Sequence, residues 1–406
     1  YEKSTIFLDK VIKINKNNLN AFYHKGLIYF YSKDYENAIR YFDICINLNT
    51  NFLYSYLNLG HIYLRIKDFK KAIYNYIKVL KIDPNNNTSK FNLSWCYYSI
   101  LDFDNAFNFY EYRKEKMLPG EKLNDVKNKF NCEEWFGENL DNKNILILSE
   151  QGIGDNIQFF RYLFWLKEKF NVKITFYVDK KLTNLFKDTP FNIVSNLDNL
   201  NDVNYYQHLL SLPGIFYKEE KKFQKHIPYI KAEDNLDQKW KMKLENYKKP
   251  IIGLSWQGDQ NFAFDSTRSI ALSFFKDILK IDTFKFISLQ KGFGSEQIEF
   301  NNFSENLIDL SNEIDIGDNS FEDTIAILVN IDFLITSDTA IAHLAGTLGV
   351  KTYLLLEHNP EWRWYIENEY KCFYPNLDII QQTEPGNWRA VFENLKELLK
   401  NKSKSN

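Results

Sequence analysis

Two acidic residues and one histidine sit where chemistry could be done. Asp155 lies in Glu150-Gln-Gly-Ile-Gly-Asp-Asn156, just after the apolar run at 144–148. Gly152 and Gly154 are expected to let the backbone turn sharply and present Asp155 near a helix N-terminus. A carboxylate there can take a proton from an acceptor hydroxyl. The same Asp can equally cap that helix, whose terminus also weakens it as a base. Its flanks, Gln151 and Asn156, become candidate contacts to acceptor or donor. The second acid, Asp338, precedes Thr339 and a helix of small residues from Ala340 to Leu348 that stops at Gly349. Free N–H groups in a first turn suit a pyrophosphate, although an ordinary capped helix reads the same way. His343, one turn in, could bond a donor or brace Asp338, or it could be a buried structural ring.

Two further loops offer phosphate contacts. Residues 253–272 carry Ser255, Gln257, Arg268 and Ser269 after an apolar run. Arg268 could bind phosphate bidentately, or remain solvated if Ser266–Ile270 begins a helix. Lys291 leaves another run between polar residues as a weaker candidate of the same kind. A rival reading makes Gly152-Ile-Gly154 a dinucleotide cradle, with Asp179 on the ribose. Ile157 then occupies the place of the third glycine, where a β-branched side chain blocks close helix–strand packing. Paired acids of metal-binding type occur at Asp102-Phe103-Asp104, but these lie in a repeat turn, so no metal site is expected.

These residues need elements to hold them. Short apolar runs at 144–149, 173–179, 191–195, 206–212, 251–257, 284–290, 332–337 and 351–357 alternate with amphipathic stretches. That alternation predicts parallel sheets, in two groups on either side of the charged segment 231–249. Ligands of doubly wound halves bind at the carboxyl ends of the strands. Residues 117–142 lose all periodicity and read as a linker, packed in part through Trp135 and Phe136.

Before the linker the chain repeats every 34 residues: Gly26, Gly60, Ser94; Tyr29, Tyr63, Tyr97; Asp34, Asp68, Asp102; Ala38, Ala72, Ala106. The period resembles the tetratricopeptide repeat, two helices per unit with small residues where they approach. Tyr1 falls one period before Tyr35, which predicts further repeats upstream. The predicted domains are therefore repeats at 1–116, a linker at 117–142, and α/β halves at 143–235 and 250–400.

Composition narrows the classes. The 406 residues carry Lys+Arg 51 against Asp+Glu 53, a net charge of -2, which disfavours a nucleic-acid binder. Cys45, Cys96, Cys132 and Cys372 have no metal or disulfide spacing and read as free thiols in a reducing compartment. No apolar run approaches the roughly 18–20 residues that span a bilayer, and no charged-then-apolar leader opens the chain, so a cytoplasmic protein without an integral membrane segment is expected.

Five motifs occur in order: residues 150–163, 209–216 with 227–230, 252–270, 337–356, and Pro360-Glu-Trp-Arg-Trp364 with its continuation to Trp388. Together they resemble bacterial tetratricopeptide-repeat proteins that carry a heptosyltransferase-like (ADP-heptose:lipopolysaccharide type) glycosyltransferase domain. The resemblance implies a GT-B architecture, two Rossmann-like domains facing a cleft. The first half would bind the acceptor and the second a nucleotide-sugar donor. Sugar transfer would be inverting, with the nucleotide-sugar as co-substrate, no cofactor and no metal in the chemical step. Asp155 matches the family's general base. Asp338, Thr339 and His343 match its Asp-Thr-x-x-x-His donor motif, with Ala340 where glycine is common. Ser255, Gln257 and Arg268 match its diphosphate contacts more loosely. Trp362, Arg363 and Trp364 mark the repeat-bearing subgroup, with ring packing or stacking on a base or sugar both open. The repeats imply a protein or peptide acceptor or partner. The alternative is a non-catalytic scaffold in which the second half is degenerate.

Overall fold

The computed structural model describes residues 2–117, 126, 129–223, 228–247, 250–261, 265–301, 303, 307–317, 320–364 and 373–403. The chain divides into two compact units, residues 1–123 and 124–406.

The first unit is helical: α1 (Glu2–Ile14), α2 (Leu19–Tyr31), α3 (Tyr35–Leu48), α4 (Leu53–Arg65), α5 (Phe69–Ile82), α6 (Asn87–Ser99) and α7 (Phe103–Tyr110). The repeat arithmetic explains its pairs. Asp34, Asp68 and Asp102 cap α3, α5 and α7, each side chain accepting from a backbone N–H three residues on. Asp102 is thus a cap. Before each cap stands a left-handed residue, Lys33, Lys67 or Leu101, at φ 63, 62 and 61. This tight turn folds the second helix back on the first. There the small residues meet rings: a Cβ on Gly26 would lie 2.6 Å from Phe42, and one on Gly60 would lie 2.5 Å from Tyr76. Buried Ala38, Phe42, Leu59 and Ile62 form one core cluster, and Ala72, Tyr76, Leu93 and Cys96 the next.

The second unit holds two parallel sheets. The first has the order β1-β5-β2-β3-β4, from Glu133–Glu134 (β1), Asn144–Leu148 (β2), Lys173–Tyr177 (β3), Asn192–Val194 (β4) and Tyr205–His208 (β5). The second has the order β11-β10-β9-β6-β7-β8, from Ile251–Ser255 (β6), Lys285–Ser288 (β7), Leu307–Asp309 (β8), Phe333–Ser337 (β9), Thr352–Leu356 (β10) and Leu377–Gln381 (β11). All eight apolar runs become strands. The three others, β1, β8 and β11, lie at sheet edges; β1 and β8 are only 2 and 3 residues long, and Asp378 interrupts the apolar pattern of β11.

Two predicted connections gain structure. Glu133–Glu134, inside the segment read as a linker, pairs parallel with β5. Trp135 beside it is fully buried, while Phe136 is exposed. Within the charged segment, Asp234–Leu244 is a helix joined to the second half: the Trp240 indole donates to Asp323 at 2.6 Å. Residues 118–125, 127–128 and 248–249 of these segments, and Cys372, lie outside the described residues. Cys45, Cys96 and Cys132 are free thiols. Among the described residues, no helix is long and apolar enough to cross a membrane.

Candidate functional site

The first loop is built differently from its sequence expectation. Gly152 has φ -81 and Gly154 is helical, so neither glycine makes the sharp turn. Gln151 makes it, exposed and left-handed at φ 58. The glycines serve close approach. A Cβ on Gly154 would fall 2.6 Å from the His343 ring, and one on Gly152 would fall 3.1 Å from the Asp155 carboxylate. Asp155 takes up the capping role: the Gly152 N–H donates to its Oδ2 at 2.9 Å. Asn156 is buried and donates to the Gly152 carbonyl at 2.9 Å, so it braces the loop from inside. Ile157 is fully buried, and Asp179 accepts from the Lys181 N–H at 2.9 Å as a cap.

The other Asp155 oxygen reaches across to the second half. Its Oδ1 lies 2.7 Å from the Arg363 guanidinium. Arg363 also donates to Gln158 Oε1 at 3.0 Å and pairs through Nε with Glu361. A second arginine crosses the other way. Arg161, buried in the first half, donates to the Phe373 carbonyl at 2.9 Å and to the Gln158 carbonyl at 2.7 Å. Trp362 stacks on Phe159 and Trp364 on His343, so the rings of this segment pack on protein.

His343 sits inside the join. Its Nδ1 is 3.2 Å from the Tyr374 hydroxyl, and burial with Arg363, Arg161 and Arg268 nearby lowers its pKa well below the usual range. The imidazole is therefore neutral near pH 7. Asp338 and Thr339 follow β9 and start the Ala340–Leu348 helix, with Thr339 at the cap position in extended conformation. Asp338, Thr339 and Ala340 are partly exposed. Burial raises the Asp338 pKa, against the pull of Arg363 and Arg268. Burial also lifts Glu361 to about 7, opposed by Arg363 and aided by Asp155 and Asp338.

Sites in the β6 loop and beyond it are braced by other residues. The Trp256 and Gln257 N–H groups donate to Gln290 Oε1, 3.4 Å from the Ser255 hydroxyl. The Gln257 side-chain Oε1 accepts from Gln297 Nε2 at 2.6 Å. Arg268 Nε lies 3.2 Å from Asp265, which also accepts from the Ser269 hydroxyl. Arg268 still exerts its charge on Asp338 and His343. Ser255 is register partner to Thr336, two residues before Asp338. Lys291 turns away to the carbonyls of Ile314 and Asp315.

So Asp155, Gly154, Asp338, His343 and Arg268 come together, and Lys291 does not join them. Sequence reasoning left Arg363 without a role and did not single out Glu361. The signal was an Arg between two tryptophans after Pro-Glu, a charge amid large rings, but its partner lies far upstream.

Comparison with known proteins follows the same division. Tetratricopeptide-repeat family models match residues 19–52 and 54–86. Protein FlbA of Caulobacter vibrioides is 21% identical over 284 residues, covering 63% of this chain and 46% of FlbA. This chain thus spans about half the length of that relative. Among solved structures, a glycosyl transferase family 9 protein from Veillonella parvula aligns over 66% of this chain and 100% of its own, at 11% identity and TM-score 0.47. ADP-heptose lps heptosyltransferase II of E. coli aligns over 64% and 99%, at 8% identity and TM-score 0.41. Tetratricopeptide repeats followed by two parallel α/β halves are the architecture of this chain.

Proposed function

We propose that the second unit transfers a sugar from a nucleoside-diphosphate donor to an acceptor hydroxyl, with inversion and without a metal in the chemical step. One observation carries this reading. The Asp155 loop beyond β2 pairs with the Arg363 guanidinium, whose charge also acts on Asp338 at the helix start beyond β9. Transfer needs a base on the acceptor side and charge stabilisation on the leaving side. Asp155 is the base. The first turn of the Ala340–Leu348 helix and Arg268 receive the diphosphate. The acceptor oxygen bonds the sugar carbon as its proton passes to Asp155, and the diphosphate leaves with the bonding pair. Neutral His343 packs behind the helix start. The repeats recruit a protein acceptor or partner.

Asp155→Asn is expected to lower turnover by about a hundredfold or more while nucleotide-sugar binding persists. Full activity in that variant would remove Asp155 from the mechanism.

A second reading, a partner-binding scaffold with a degenerate second half, is favoured by one fact. Both Asp155 oxygens are already engaged, by Gly152 and Arg363. Calorimetric titration with a panel of nucleoside diphosphates separates the two readings. Binding of none supports the scaffold.

A further inference from the structure

We infer that Arg363 is the positioning residue that holds Asp155 in place from the opposite half, with Glu361 as the second anchor of its guanidinium. This rests on the reading of Asp155 as the base. The geometry is a fork. One arm meets Asp155 Oδ1 at 2.7 Å, another meets Gln158 Oε1 at 3.0 Å, and Nε meets Glu361. Asp155 and Gln158 are one turn apart on the Ile153–Phe159 helix, so the fork fixes both the position and the rotation of that helix start. Arg161 grips the same turn through the Gln158 carbonyl while holding the Phe373 carbonyl of the other half. Two arginines thus cross the join in opposite directions, and Arg363 alone of the two contacts Asp155.

The charges give the arrangement its use. Arg363 faces Asp155 from the first half, Glu361 on its own segment and Asp338 at the end of β9. His343, on the helix that follows Asp338, feels the charge of Arg363 together with those of Arg161 and Arg268. When Asp155 accepts a proton it gives up its claim on Arg363. A guanidinium left buried without a counter-ion is costly. Glu361 balances it, so the proton can arrive without stranding the charge. Glu361 ionises near neutral pH, where burial has lifted it to about 7.

The test uses the full chain with a panel of UDP-, GDP- and ADP-sugars, and variants Arg363→Gln, Arg363→Lys and Glu361→Gln. Hydrogen exchange over residues 150–160 is read beside turnover and donor KM across pH. Arg363→Gln is expected to speed exchange there about tenfold and to lower kcat about a hundredfold, with donor KM within about threefold. Arg363→Lys recovers part of the loss, keeping the charge without the fork. Glu361→Gln removes a break in kcat near pH 7 that the wild type shows. Unchanged exchange with unchanged kcat in Arg363→Gln overturns the inference, as does donor KM rising in step with the loss. If Arg363→Gln does not fold, Glu361→Gln decides, and a retained break overturns the inference. Turnover is read as donor hydrolysis, with water as acceptor; a wild type that neither hydrolyses nor binds any donor in the panel defeats the glycosyltransferase reading instead. The exchange arm then still reports whether Arg363 holds the Asp155 helix.

Discussion

The repeat unit and the Asp155–Arg363 join solve one packing problem in two ways. In the repeats, Gly26 faces Phe42 and Gly60 faces Tyr76, each glycine sixteen residues before its ring. At the join, Gly154 faces His343 at the same kind of distance, but the two lie in different halves of an α/β unit. Both glycines allow a close approach that any side chain would prevent. In the repeat the approach is local and recurs with the period. At the join it occurs once, and it brings a carboxylate and a buried guanidinium together.

Substitution at the glycines tests the parallel. Gly154→Ala places a methyl against a ring already held between Trp364 and Tyr374. It is expected to destabilise the second unit by about 2–3 kcal/mol in denaturant unfolding. Gly60→Ala meets the fully buried Tyr76 ring within one helix pair, where neighbouring helices can slide. A smaller cost of about 1–2 kcal/mol in the first unit is expected. Equal costs, or a larger one at Gly60, would break the comparison.

The next effect is electrostatic and belongs to the join. Glu361 titrates near 7 in the fold and near 4.5 when unfolded. Between those values the unfolded chain has released a proton that the native state keeps, so stability falls as pH rises through this window. About a quarter of the Glu361 side chain is exposed, so the fall is set at roughly 1 kcal/mol. Glu361→Gln is expected to flatten the slope, as read by melting temperature from pH 4.5 to 7. The smallest effect belongs to the repeats. Asp68→Ala removes the cap on α5 and is expected to cost about 1 kcal/mol without any dependence on residues of the second unit.

Legibility followed the range of the interaction. The repeat helices and the small residues at their crossings were readable because each depends on neighbours within one period; the recurring aspartates showed the period, and the fold shows that they cap α3, α5 and α7. The left-handed turns at Lys33, Lys67 and Leu101 were not, since these residues carry none of the usual signals for positive φ. Eight strands were readable as apolar runs, while β1 and β8 were too short to show a pattern and β11 carries Asp378 within its run. In the site, the loop and its acid were legible, but their reasons were not. Glycines read as turn-makers proved to be spacers, and Gln151 makes the turn. Gln257, read as a diphosphate contact, accepts from Gln297, and Lys291 is tied to a neighbouring turn.

By itself the sequence determined the repeat, the two parallel sheets and the positions of Asp155 and Asp338 at strand ends. These follow from period, apolar runs and caps, which act over a few residues. Only the tertiary structure decided that Arg363 serves Asp155, that His343 lies against Gly154, and that Glu361 carries a raised pKa. Each of these needs side chains from distant strand ends to be desolvated together, and no local pattern encodes that.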